Sequence, residues 1–261
     1  MRTIGLGRIL FSIAMIGMGV LSFSFQDFAS PWQPVPAGFA FRSLLACISG
    51  GFLLGAGISL WLKRAAAPAA LLLSICWALW TLIRIAQSLA NPAHLGVWLG
   101  VCENLAIVSG ALILYATLAP NRPQAGFLAG ENAQRRAQVL FALACVIFGL
   151  SHFVYADFTA KMIPAWLPYH WGLAYFTGAG HLAAGIAILA MRFSRLAATL
   201  EAVMMTTFVV LVHIPSIGAV PAPFWGPTYQ VQWTLLAGAL TLAASAWCIA
   251  DSLRAAPEAN T

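Results

Sequence analysis

The chain contains an internal repeat, in which the second half matches the first after an offset of about 130 residues. The matched positions are Gly19 with Gly149, Asp27-Phe28 with Asp157-Phe158, Pro34 with Pro164, Gly50 with Gly178, and Gly110-Ala111-Leu112 with Gly238-Ala239-Leu240. Both copies are strongly apolar: 61% of the chain is hydrophobic and only 8% is charged. Because soluble domains carry about 25% charged residues, the repeat predicts a membrane protein of two like halves.

Long apolar runs divide the chain into eight predicted transmembrane helices. They lie at roughly 4–24, 38–62, 66–90, 96–119, 137–156, 170–192, 197–216 and 228–253. A helix needs about 20 apolar residues to cross a bilayer, and these runs lack the alternation of barrel strands. The predicted fold class is an all-α integral membrane protein of two tandem four-helix bundles. Its predicted units are a first repeat at 1–119, a cytoplasmic linker at 120–138, a second repeat at 139–253, and a polar tail at 254–261.

Basic residues orient the predicted bundle in the membrane. Those that fall on one side of the eight spans are Arg2, Arg8, Lys63, Arg64, Arg122, Arg135, Arg136, Arg192, Arg195 and Arg254. The positive-inside rule then places both termini in the cytoplasm of a bacterial inner membrane. The net charge of +6 therefore reflects topology, and nucleic acid is not a predicted partner.

Several tryptophans lie near predicted span ends on the opposite, outer side, where an aromatic belt is expected. These are Trp32, Trp98, Trp166, Trp171, Trp225 and Trp233. The five cysteines contain no C-x-x-C pair, which argues against dithiol–disulfide chemistry.

The second half resembles the DoxX-like family of small four-helix membrane proteins over roughly residues 138–216. The matching segments are Gly149-Leu150-Ser151-His152-Phe153, Asp157-Phe158-Thr159, the run from Met162 to Pro168, and Phe176-Thr177-Gly178. The resemblance implies a four-helix membrane fold, and some family members belong to quinone-linked sulfur oxidation or other redox complexes. Members typically carry an acidic residue soon after the Thr-Gly pair, where this chain has His181.

Ionisable side chains within membrane spans are functional candidates, because placing them in a bilayer costs free energy. In the first half these are Arg84 and Glu103, which lie at similar depth near the outer side. They are expected to form an ion pair, either to orient the headgroup of a bound cofactor or simply to hold two helices together.

Three histidines of the second half form the other candidate group. His152 and His213 end their predicted spans on the outer side and are the candidate proton-exchanging, catalytic residues, while His181 lies nearer the midplane as a cofactor-binding candidate. Structural roles remain open for all three, and haem ligation by His152 and His213 is a less favoured alternative. Glu201 is expected to form a surface salt bridge with Arg192 or Arg195.

The predicted function is a redox-associated subunit that binds a quinone or anchors a periplasmic redox protein. Quinones dissolve in the bilayer and need groups that take up and release protons, a task suited to histidine and glutamate. No metal-binding or nucleotide-binding motif is present in the sequence. The alternative is a non-enzymatic small-molecule transporter or membrane assembly factor, which would need polar residues continuing from the outer cluster towards the inner face.

Overall fold

The structure, a computed structural model, describes residues 5–119 and 127–254. Within these ranges the chain is helical and has no strand. The helices are α1 (Leu6–Phe25), α2 (Arg42–Ser59), α3 (Ala66–Ser88), α4 (Leu95–Leu118), α5 (Gly130–Val154), α6 (Ala156–Met162), α7 (His170–Leu189), α8 (Ser194–Ser216) and α9 (Tyr229–Arg254). All except α6 are long and apolar enough to cross a membrane, which confirms the eight predicted spans and the all-α membrane fold.

The two faces of the helix bundle differ in their connections. Successive spans alternate in direction, so the connections at 26–41, 155–169 and 217–228 lie together at one face, here called the loop face. The chain's first and last described helices begin and end at the opposite face, here called the terminal face. A hydrogen bond of 2.8 Å from the Gly7 amide to Asp251 Oδ2 joins those two ends.

The start of α5 differs from the prediction. The helix begins at Gly130, so the polar residues up to 137, predicted as linker, form its first turns. Arg135 explains why these turns are ordered: its guanidinium donates at 2.8 Å to the carbonyls of both Ile188 and Leu189. The last carbonyls of a helix have no partner within it, so Arg135 caps the end of α7. Residues 120–126 of the predicted linker and 255–261 of the predicted tail lie outside the described residues.

Helices of the two repeats pack directly against each other. In the first repeat α1 packs on α2 and α3 packs on α4, and in the second repeat α5 packs on α7 and α8 packs on α9. Across the repeats α4 packs on α5, α9 packs on α1, and α4 and α9 contact each other. These two helices are accordingly the most buried spans, at 67% and 61% of the window against 28–44% elsewhere.

Equivalent glycines make equivalent contacts in the two repeats. A Cβ on Gly19 of α1 would lie 2.7 Å from the carbonyl oxygen of Gly50 on α2. A Cβ on Gly149 of α5 would lie at the same 2.7 Å from the carbonyl oxygen of Gly178 on α7. Small residues let membrane helices approach this closely. The matched contacts show that α1 packs on α2 as α5 packs on α7.

The first connection on the loop face is folded into the bundle. Trp32, predicted as part of an exposed aromatic belt, is only 3% exposed, so that prediction is wrong for this residue. Its indole lies against Gly238 of α9, where any Cβ would collide with the ring. The Asn104 amide on α4 donates to the Trp32 carbonyl at 2.9 Å. By contrast, Trp166 and Trp171 are 67% and 50% exposed, as expected of a belt.

Candidate functional site

The candidate site lies in the second repeat, around a buried contact between α7 and α8. His181 Nδ1 lies 2.7 Å from Glu201 Oε1, and the two side chains are 3% and 0% exposed. The expectation that Glu201 pairs with Arg192 or Arg195 is therefore wrong, because its carboxyl points into the bundle. The reason is the tight connection after α7, in which Met191 and Phe193 adopt positive φ angles of 56° and 55° and bring the two helices directly together.

The Glu201 carboxyl has few other partners. The Cys145 thiol on α5 lies 3.7 Å from Oε1, a weak donor contact. Oε2 is buried and has no hydrogen-bond partner among the described residues. The His181 ring is flanked by Phe148 and Phe208, with ring centroids 5.7 Å and 5.9 Å away. An acid and a base thus share one proton position in apolar surroundings, and one carboxyl oxygen remains open to a further proton.

His152 extends this site towards the loop face. Its ring contacts that of His181 edge to face, with centroids 5.0 Å apart, and stacks on Phe208 at 6.2 Å. Its Nδ1 lies 2.9 Å from Thr177 Oγ1 and 3.3 Å from the Ala174 carbonyl. The contact between the two histidines is a ring contact, and no hydrogen bond joins them among the described residues. A proton crossing between them therefore needs ring rotation or a bridging water.

We call this group the His–Glu cluster and define it as Cys145, His152, Thr177, His181 and Glu201. Two of its members, His152 and His181, were predicted as site residues. Thr177 and Cys145 were not predicted as site residues, and Glu201 was expected to pair with Arg192 or Arg195. The missed signal for Glu201 is its position: it and His181 lie at equal distances along the chain from Met191, so the antiparallel hairpin places them at the same depth.

His213, the other predicted catalytic histidine, lies apart from the cluster. It ends a π-helical turn at Val209–His213 within α8, just before Pro215. Its ring packs edge to face on Trp225, with centroids 5.4 Å apart, and its Nδ1 has no hydrogen-bond partner among the described residues. No hydrogen bond or ring contact joins His213 to His152 in the part of the chain that the structure describes, so the structure does not bring these two together.

Arg84 and Glu103 lie on α3 and α4 of the first repeat, and among the described residues no hydrogen bond or ion pair joins them to the His–Glu cluster. Arg84 donates to the Pro31 carbonyl of the buried connection, and its guanidinium lies against Gly100, one turn before Glu103. The two charges interact electrostatically. However, the ion pairs found among the described residues do not include these two side chains within 4.0 Å. The predicted direct pair is not formed, because the arginine is used to hold the connection.

The cluster offers acid–base chemistry rather than a set of metal ligands. Among residues 5–119 and 127–254, no three histidine, cysteine or acidic side chains are grouped so that they could hold a metal ion. No family model, curated protein or solved structure matches this chain.

Proposed function

We propose that the chain is a redox-associated membrane subunit whose second repeat exchanges protons with a lipid-soluble carrier of the quinone type. The observation that carries this proposal is the 2.7 Å contact between His181 and Glu201, both almost fully buried. Ionisable side chains inside a bilayer are costly and mark proton relays or ligand sites. We further propose membership of the DoxX-like family and a bacterial inner membrane with cytoplasmic termini, so that the loop face is periplasmic.

Quinone chemistry needs a site of this composition. Reduction of a quinone to a quinol adds two electrons and two protons, and oxidation releases the same. Histidine and carboxyl groups are the side chains best suited to exchange such protons. One proton lies between His181 Nδ1 and Glu201 Oε1, and Glu201 Oε2 provides a second position. The electrons would come from or go to a redox protein that docks on the loop face.

The cluster extends from Glu201 towards the loop face. From Glu201 it passes through His181 to His152, which lies near the loop-face end of α5. Nearer the connection between α7 and α8, Ile188 and Ala198 are both fully buried and apolar. A cluster that extends towards one face supports proton exchange at an internal site. It favours this function over the transporter alternative, which needs a path to both faces.

A lipid-facing groove borders α8 on the side of the helix turned away from Glu201. It has a volume of about 300 Å³, opens sideways between α8 and α9, and is bounded in part by Val203, Thr206 and Trp247. Pockets for small ligands begin at about this size and combine apolar walls with a few polar groups. The Trp247 indole N–H donates to Thr206 Oγ1 at 3.0 Å. Because the body of α8 separates this groove from the Glu201 carboxyl, we do not place the carrier in it.

The proposal is tested with full-length protein in lipid nanodiscs loaded with a short-chain ubiquinone. Binding is measured as quinone retained per protein after washing, and protonation by infrared difference spectra between the oxidised and reduced quinone. We expect retained quinone and a carboxyl band that changes with quinone redox state. This band should be lost in Glu201→Gln and kept in Glu131→Gln, a matched change at an exposed glutamate of α5.

Two outcomes contradict the proposal. If no quinone is retained, the protein does not bind this carrier. If a redox-linked carboxyl band survives in Glu201→Gln, Glu201 is not the carboxyl that exchanges protons. A second preparation, in liposomes with a trapped pH dye, addresses the transporter alternative. Steady proton movement across the membrane of these liposomes, abolished by Glu201→Gln, would replace our proposal with transport.

A further inference from the structure

We propose that Thr177 is a positioning residue that holds His152 in a single tautomer, so that Nε2 is the nitrogen that exchanges protons. This inference deepens the proposed proton exchange and rests on it. It concerns one question that the proposed function leaves open, namely which atom of His152 gains and loses the proton. The donors and acceptors around the His152 ring decide which nitrogen carries the hydrogen.

The partners of His152 Nδ1 decide where its hydrogen lies. A peptide carbonyl can only accept, so the 3.3 Å contact with the Ala174 carbonyl requires a hydrogen on Nδ1. Thr177 has one hydroxyl hydrogen, which is directed at the helix carbonyls of Leu173 at 2.9 Å or Ala174 at 3.1 Å. Its oxygen is then free to accept from Nδ1 at 2.9 Å. Both contacts therefore select the Nδ1–H form.

The first repeat uses the equivalent position in the same way. Ser49 corresponds to Thr177, because each precedes a matched glycine, Gly50 or Gly178. The Ser49 hydroxyl oxygen accepts a hydrogen bond of 2.9 Å from the side-chain amide of Gln33. This position on α2 and α7 thus offers an acceptor oxygen to a side-chain N–H in both repeats, although the donor differs.

Fixing the tautomer gives His152 one working nitrogen. The neutral ring has its lone pair on Nε2, and a proton added there produces an imidazolium that keeps its original hydrogen on Nδ1. Neither a peptide carbonyl nor an alcohol can take the Nδ1 proton, so the added proton leaves again from Nε2. His152 therefore acts at the loop-face end of the cluster as an acceptor that receives and returns a proton through the same atom.

The test is solid-state NMR of the full-length protein in lipid, with ¹⁵N-labelled histidine and with His152 assigned by comparison with His152→Asn. Ring nitrogens with and without a hydrogen differ clearly in ¹⁵N shift. We expect Nδ1–H in the wild type and in Thr177→Ser, which keeps the hydroxyl. In Thr177→Val, which has the same shape without the oxygen, the tautomer ratio should move towards Nε2–H by roughly fivefold, the effect of one hydrogen bond.

A wild-type spectrum with Nε2–H overturns the inference without any variant, so the test stands even if Thr177→Val does not fold. An unchanged tautomer ratio in a folded Thr177→Val overturns it as well. These results are independent of the quinone experiment. Loss of the Glu201 infrared band in that experiment is unaffected by the tautomer of His152, and a correct tautomer with no retained quinone would refute only the proposed function.

Discussion

Replacing His181 with leucine should destabilise the protein strongly, because it leaves the Glu201 carboxyl buried without its main partner. In the structure Oε1 accepts only the 2.7 Å contact with His181 and a weak 3.7 Å contact from Cys145, and Oε2 has no partner among the described residues. Removing one member of a buried acid–base pair costs about 3–5 kcal/mol when the remaining carboxyl is left ionised and unpaired. That corresponds to roughly a 100- to 4,000-fold change in the folding equilibrium.

The double variant His181→Leu/Glu201→Leu tests whether the loss of stability comes from the unpaired Glu201 carboxyl. Replacing both members of a buried pair with apolar residues is often neutral or stabilising, so the double variant should be more stable than His181→Leu alone. His213→Leu is the matched control, since the Nδ1 of His213 gives up no hydrogen bond and the ring loses only its packing on Trp225. We expect this control to cost less than about 1 kcal/mol.

The measurement is reversible unfolding in lipid bicelles by titration with SDS. Wild type, His181→Leu, Glu201→Leu and the double variant form a double-mutant cycle, and His213→Leu is measured beside them. A cost of His181→Leu below about 1 kcal/mol, or additive effects in the double variant, would refute the idea that the pair is held together in apolar surroundings. Equal losses in His181→Leu and His213→Leu would refute it too, since among the described residues Nδ1 has a hydrogen-bond partner in His181 but not in His213.

Two further predictions concern packing and capping. Gly149→Ala should cost about 1–3 kcal/mol, because its Cβ would meet the backbone of Gly178, whereas Gly17→Ala, with nothing within 4 Å, should be neutral or stabilising; equal unfolding midpoints would contradict this. Tyr155→Phe should cost about 0.5–1.5 kcal/mol and speed hydrogen exchange at the Gly96 amide, which donates to the tyrosine hydroxyl at 2.9 Å; unchanged exchange there would count against the cap.

The helices could be predicted from the sequence because a lipid bilayer offers the backbone no hydrogen-bond partners. In a bilayer every long apolar run must satisfy its backbone internally, so length and hydropathy alone locate a span such as α3, expected at 66–90 and found at Ala66–Ser88. The short helix α6 carries no such signal. The buried course of the first connection was also missed, because a tryptophan near a span end is as typical of a lipid interface as of a core, and only the glycine at 238 distinguishes the two.

The candidate site could be predicted only in part, because depth is readable from sequence but direction around a helix axis is not. His152, His213, Arg84 and Glu103 were correctly assigned to the loop-face half of their spans. Similar depth does not imply contact, and these four residues are divided between two bundles. His181 and Glu201 lie on consecutive antiparallel helices. Because both are equally far from the connecting turn, the sequence alone predicts that they lie at the same depth on neighbouring helices.

The packing of α1 on α9 has a consequence for biosynthesis. The first helix emerges from the ribosome long before α9, its packing partner, since Gly7 and Asp251 are 244 residues apart in the chain. Until α9 is inserted, α1 has α2 on one side and only lipid or other protein on the side that α9 will cover. The packing of α1 is therefore completed only when α9 is inserted, and a chain truncated before α9 would leave α1 as a site where quality-control proteases could act.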